Sequence, residues 1–145
     1  MIGLLQRVRH ARVDVQDKTI AQVDRGLLVL VGIEKHDDET RARRLLERLL
    51  NYRVFADQQD KMNLSVADIG GGLLLVPQFT LAANTKKGTR PSFSEAATPS
   101  RARELFEYLR VEAEGRYEKL ACGEFGADMQ VSLVNDGPVT FLLKA

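Results

Sequence analysis

The 145-residue chain holds one cysteine, two histidines and a formal net charge of only +1. With Cys122 alone, no internal disulfide can form, and a reducing compartment suits the chain. His10 and His36 are separated by a hairpin-sized stretch, and no pairing of them with Cys122 has ligand spacing. No metal site is expected from them. A net charge this small excludes a global basic field, so any RNA contact has to come from a local patch. The longest unbroken apolar run, Leu27–Val31, is far too short to cross a membrane. Arg7, Arg9 and Arg12 follow the apolar Met1–Leu5 at once, which is not the order of a signal peptide, and the expected location is the cytoplasm. No low-complexity tract, internal repeat or linker interrupts the chain, and its length suits one domain, residues 1–145, with a real core.

What is present is mostly strand-like. Ile2–Val8 and Arg12–Val15 come first, and Thr19–Val23 follows a turn at Gln16-Asp17-Lys18. Leu27–Ile33 is apolar without relief, which predicts a strand covered on both faces. Asp37-Asp38-Glu39 then opens a helix over 39–51, with Ala42, Leu45, Leu46, Leu49 and Leu50 on one side and Arg41, Arg44 and Arg48 mostly on the other. Those arginines read as a solvated face rather than an RNA site. A second helix starts where Thr98 caps and Pro99 takes the first helical position, and buries Ala102, Leu105, Phe106, Leu109 and Ala113. Further strands are expected at Arg53–Phe55, Leu73–Val76, Tyr117–Cys122, Met129–Val134 and Val139–Leu143. The fold class is α+β: a strongly curved or barrel-like, mostly antiparallel sheet with two main helices.

Catalytic side chains are scarce. Cys122 ends a strand-like run, the ordinary place of a small buried thiol. No serine sits in a nucleophile elbow, and the carboxylates Asp37, Asp38, Asp57 and Asp60 read as cap and turn residues. Gly70-Gly71-Gly72 lacks the following Lys-Ser/Thr and helix of a phosphate cradle, so it reads as a loop between strands. The long stretch 82–97 differs. It carries Lys86, Lys87, Arg90 and Phe93 with no apolar period, and reads either as a phosphate- or RNA-contacting loop or as a merely solvated one. An enzyme built this way needs a substrate that asks little of side chains.

Two segments stand apart, Pro77-Gln78-Phe79-Thr80-Leu81 and Asn135-Asp136-Gly137-Pro138-Val139-Thr140. Locally the second reads as a hairpin turn between two short strands. Together, however, the two closely resemble the signature motifs of bacterial D-aminoacyl-tRNA deacylases. Gly26–Leu30, Lys61–Ser65, Lys87–Phe93 and Phe125–Val131 also resemble blocks of that family, in the family's order and over nearly the whole chain.

The resemblance implies a homodimer that hydrolyses the ester between a D-amino acid and the terminal adenosine of tRNA, with no metal or cofactor. It implies that Gly137-Pro138 is cis and reaches into the partner's active site as a wall that excludes L-amino acids. Glycine, with no side chain to reject, would also be removed. Gln78, Phe79 and Thr80 become pocket wall, with oxyanion or adenosine contacts; Phe125 and Met129 become apolar pocket residues, although both also read as plain core. Lys86, Lys87 and Arg90 become candidates for the tRNA acceptor end. One departure bears on mechanism. The family usually has serine where this chain has Pro77, and proline has neither hydroxyl nor amide hydrogen. A nucleophile at 77 is therefore impossible, Thr80 has no evident base, and assistance from the tRNA's own 2′-hydroxyl is the preferred mechanism.

Overall fold

The computed structural model describes residues 1–86 and 88–145. Its organising element is β1 (Ile2–Val15), a 14-residue strand that joins the two expected strands into one. A strand has two edges, and β8 (Gln130–Lys144) runs antiparallel along one of them from Ile2 to Asp14. The other edge is shared. β3 (Gly26–Gly32) pairs with residues 2–8, and β2 (Lys18–Val23) pairs with residues 11–15. The chain enters β2 through Gln16 and Asp17, both at positive φ.

Beyond β3 the sheet turns parallel, first to β6 (Gly72–Pro77) and then to β7 (Leu120–Cys122). Parallel neighbours need crossover connections, and the two helices supply them. α1 (Glu39–Asn51) lies between β3 and β6, and α2 (Pro99–Glu114) between β6 and β7. Both helices begin where the residue types predict. Asp38 accepts from the Arg41 amide at 2.9 Å, and Thr98 caps α2 ahead of Pro99. A two-stranded ribbon, β4 (Phe55–Ala56) with β5 (Met62–Leu64), completes the strands.

Two apolar clusters hold these layers. Leu45, Leu46 and Leu49 of α1 and Leu105 and Leu109 of α2 pack onto Leu5, Leu27, Val29, Leu73 and Leu75. On the other face of the same strands, Leu28, Leu74 and Val76 meet Val8, Ala11 and Val13 inside the curve of the sheet. β3 and β6 are thus covered on both faces, which is why they read as unbroken apolar runs. The curved, mostly antiparallel sheet with two helices is the expected architecture.

Two local expectations change. Asp37 does not cap α1: its carboxylate is fully buried, takes the Met1 ammonium at 2.5 Å and accepts the Glu34 amide at 2.7 Å. Gly70 and Gly71 lie in a loop, as expected, while Gly72 already opens β6, and the three amides donate to the carbonyls of Ala67, Val66 and Arg25. The second change is the larger one. Asn135–Thr140 is not a hairpin turn, because both flanking halves pair with β1 and belong to one strand.

Candidate active site

The carboxyl ends of β3, β6 and β7 point the same way, and crevices beyond such ends are where ligands bind in sheets of this kind. A cavity of about 450 Å³ opens there. Val76, Pro77, Gln78 and Phe79 form one wall as β6 ends. Phe125 and Met129, from the segment after β7, form the opposite wall, and Ala97, Pro99 and Ala102 close the side at the start of α2. Four residues singled out from the sequence, Gln78, Phe79, Phe125 and Met129, therefore meet around one space. Phe125 and Met129 turn out to serve as both core and wall. Each is half-buried and packs against one of the two apolar clusters while facing the cavity.

The Gln78 amide still bonds to the Val31 carbonyl at 2.8 Å, so the chain leaves the sheet only after it. It then forms a short 3-10 turn over Phe79–Ala82. Gly32 makes this possible: a Cβ there would lie 2.8 Å from Leu81 Cβ and push the turn away from β3. The amides of Phe79 and Thr80, first in the turn, have no backbone acceptor among the described residues. Thr80 is exposed, and its hydroxyl accepts from the Gln78 side-chain amide at 2.5 Å. His10 and His36 are exposed elsewhere, and no carboxylate or imidazole shares a hydrogen bond with Thr80 among the described residues.

Gly137 and Pro138 do not line the cavity of their own chain. Between the pairs Gln6↔Thr140 and Val8↔Asn135, β1 has only Arg7 while β8 has the four residues 136–139, so the Gly-Pro step loops out as a wide bulge. Its peptide bond is cis, and both residues are exposed. Side chains fasten it from beneath. Arg7 donates from Nε to the Asp136 carbonyl at 2.9 Å and from Nη1 to the Val54 carbonyl at 2.6 Å. Asn135 accepts the Val139 amide and donates to the Thr140 hydroxyl, each at 2.8 Å. Gly137 sits at φ +135°, and a Cβ there would lie 2.8 Å from Val139 Cγ2 and 3.0 Å from Arg7 Nη2.

Arg7 was missed from the sequence because it alternates with Arg9 in a strand and looks like a surface cation; only its burial beneath the bulge separates them. Asn135 and Thr140 were legible as part of a motif, not as its fasteners. The basic loop is closed by an antiparallel bridge between Asn84 and Ser92, which leaves Lys86 and Arg90 exposed at its tip, while Lys87 lies outside the described residues.

A second hollow of about 500 Å³ lies between α2 and β7, lined by Cys122, Glu107, Arg110 and Glu114 among others. Its chemistry is self-satisfied. Arg110 is bracketed by Glu107 and Glu114, and burial pushes the Cys122 thiol up to about 12, so it is not a thiolate near neutrality. Among the described residues no three histidine, cysteine, aspartate or glutamate side chains gather as metal ligands would.

Comparison with known proteins bears on this arrangement directly. The profile of the D-Tyr-tRNA(Tyr) deacylase family matches residues 4–144. A curated D-aminoacyl-tRNA deacylase of Stutzerimonas stutzeri is 61% identical over 145 residues, with all of both chains covered. One from Pseudomonas fluorescens is 63% identical over 144 residues, 99% of each chain. A solved structure described as c-Myc DNA Unwinding Element Binding Protein superposes with a TM-score of 0.93 at 36% identity, covering 100% of this chain and 99% of that one. Another, described as a probable eukaryotic D-amino acid tRNA deacylase, has a TM-score of 0.83 over 99% and 98% of the two chains, and at 18% identity it shares the fold. The chain belongs to the D-Tyr-tRNA(Tyr) deacylase family.

Proposed function

We propose that the chain is an aminoacyl-tRNA editing hydrolase, cleaving the ester of D-aminoacyl-tRNA to free D-amino acid and tRNA. The observation that carries this reading is an apolar cavity beside Phe79 and Thr80 with no general base among the described residues that line it, in a chain whose full length matches deacylases. The aminoacyl ester is already activated and brings its own hydroxyl. In this reading the aminoacyl end lies against Phe125 and Met129, and the ester carbonyl lies at the amides of Phe79 and Thr80. These amides have donors to spare for the oxyanion that forms when water attacks. The vicinal 2′-hydroxyl of the terminal ribose assists the water, the leaving 3′-oxygen takes up a proton, and the protein supplies orientation. Pro77 offers no hydroxyl, and Thr80 has no base to activate it.

Selectivity is assigned to Gly137 and Pro138 of a partner subunit in a homodimer. Three observations support this. The bulge is exposed and absent from its own chain's cavity, it is braced from beneath by Arg7 and Asn135, and it lies on β8, which among the described residues pairs with β1. The same strand exposes Val134, Phe141 and Leu142, an apolar edge suited to a second copy. Backbone oxygens held there reject an L side chain by collision, whereas a D side chain points away and glycine offers nothing to reject. Lys86, Lys87 and Arg90 are assigned to the acceptor end, and a tRNA substrate places the protein in the cytoplasm.

The test is to incubate the purified protein with D-tyrosyl- and L-tyrosyl-tRNA. The D ester should be cleaved while the L ester decays at its buffer rate; survival of both would end the enzyme reading. A D-aminoacyl substrate ending in 2′-deoxyadenosine should be nearly inert, and brisk hydrolysis of it would remove the RNA-assisted mechanism. A second reading, a non-catalytic nucleic-acid-binding module on the same fold, draws support from the DNA-binding description of the relative at 36% identity. It predicts binding of the tRNA with no loss of either ester.

A further inference from the structure

Phe79 and Phe93 form an aromatic pair that the fold does not bury. Their ring centroids are 5.2 Å apart with the planes tilted by 42°, yet Phe79 is 60% and Phe93 42% exposed. Neither belongs to either apolar cluster of the core. Large aromatic rings left in water are costly unless something covers them.

Two neighbours say what covers this pair. Phe79 also lines the cavity while remaining exposed, so it joins the cavity to the open surface. Phe93 follows directly on Ser92, whose bridge to Asn84 closes the basic loop, so its ring stands at the foot of the segment carrying Lys86 and Arg90. Glu95, the acid nearest in sequence on that side, is paired with Lys35 at 3.2 Å. The surface therefore runs from apolar cavity to aromatic pair to exposed cations. That is the order in which a single strand presents a terminal nucleoside, a preceding base and its phosphates.

We propose that the Phe79–Phe93 pair is a stacking site for the unpaired base that precedes the terminal adenosine of the bound RNA, with Lys86 and Arg90 facing the adjoining phosphates. This rests on reading the cavity as the seat of the aminoacyl-adenosine. The rings already touch, so the base lies on their exposed surface rather than between them. Stacking of this kind tolerates any base. The site thus holds a single-stranded 3′ end through the face of its base rather than through hydrogen bonds to the base edge.

The experiment compares two substrates, D-tyrosyl-tRNA and D-tyrosyl-adenosine, of which only the first has the preceding base. Phe93→Ala should raise KM for D-tyrosyl-tRNA about tenfold with kcat nearly kept, because one lost stacking contact weakens binding by roughly that factor or more. The same variant should hydrolyse D-tyrosyl-adenosine like the wild type, and Phe93→Trp should restore the tRNA KM. A 2-aminopurine placed before the terminal adenosine of a short oligonucleotide should be quenched by the wild type and not by Phe93→Ala. An equal loss on both substrates, or a dimer loosened in sedimentation, would mean that Phe93 supports the loop or a subunit contact, and would overturn the proposal. So would an unchanged tRNA KM. A wild-type protein inert on both substrates would instead strike the deacylase reading itself.

Discussion

The cavity beyond β6 and the bulge on β8 are opposites in construction. The cavity is made of side chains, apolar and half-buried, with the amides of Phe79 and Thr80 at one side. The bulge is made of backbone, exposed at Gly137 and Pro138, with its side chains turned to bracing: Arg7 holds the Asp136 carbonyl, and Asn135 holds Val139 and Thr140. The difference teaches where substitution matters. A wall of side chains tolerates change in shape by degrees, whereas a wall of carbonyl groups depends on the few residues that fix its position.

The sharpest way to break this comparison is Gly137→Val. The added Cβ meets Val139 and Arg7, and φ +135° is strained for any side chain, so the bulge must move. We expect kcat/KM on D-tyrosyl-tRNA to fall by about a hundredfold, the usual penalty for a site misplaced by an ångström. Thermal stability should fall as well, by about 1 kcal/mol, because the strained φ and the collision with Val139 and the largely buried Arg7 both act on the folded state. A variant that keeps both rate and D-selectivity would show that the bulge is not part of the site.

Arg7→Ala should act less strongly on rate and more on stability. It deletes two charge-assisted bonds to the carbonyls of Asp136 and Val54, a loss of about 1.5–3 kcal/mol in denaturant titration. The preference for D over L esters should narrow, because the bulge then rests on Asn135 and the exposed Arg9–Asp136 pair. Unaltered chiral preference with lowered stability would make Arg7 a fold residue only.

On the cavity side the effects should be smaller. Thr80→Ala removes a hydroxyl bonded to Gln78 and no nucleophile, so the rate should stay within about tenfold of the wild type, short of the roughly hundredfold or more that a participating acid or base contributes. Cys122→Ala should leave the rate unchanged. Because burial raises the thiol to about 12, it stays protonated through the working range, and the rate profile between pH 6 and 9 should carry no thiol inflection. An inflection abolished by Cys122→Ala would reopen the thiol as a participant.

Much of this was readable from residue types because local and tertiary preferences agree. Asp38, Thr98 and Pro99 start their helices where capping physics puts them, and Leu27–Ile33 is doubly covered as its unbroken apolar run demands. Gln78, Phe79, Phe125 and Met129 were legible as site residues through their motifs, but their meeting required the parallel order of β3, β6 and β7. The misread element was Asn135–Thr140. Asn-Asp-Gly is turn vocabulary, and a wide bulge uses the same residues as a hairpin; only the common partner β1 distinguishes them. Arg7 was hidden for a related reason, since nothing local separates a cation beneath a bulge from one on the surface. Asp37 has the sequence context of a cap because its partner, the Met1 ammonium, is distant in sequence.

The claim that one chain's bulge completes the other chain's cavity is tested most directly by a mixed dimer. One chain carries Gly137→Val and an intact cavity; the other carries Ala102→Trp, which fills the cavity, and an intact bulge. Each homodimer should be nearly inactive on D-tyrosyl-tRNA. The co-expressed pair should regain D-selective hydrolysis through its one complete site. If the mixed dimer forms and stays as inactive as its parents, the two regions do not complement each other across subunits, and the account is wrong.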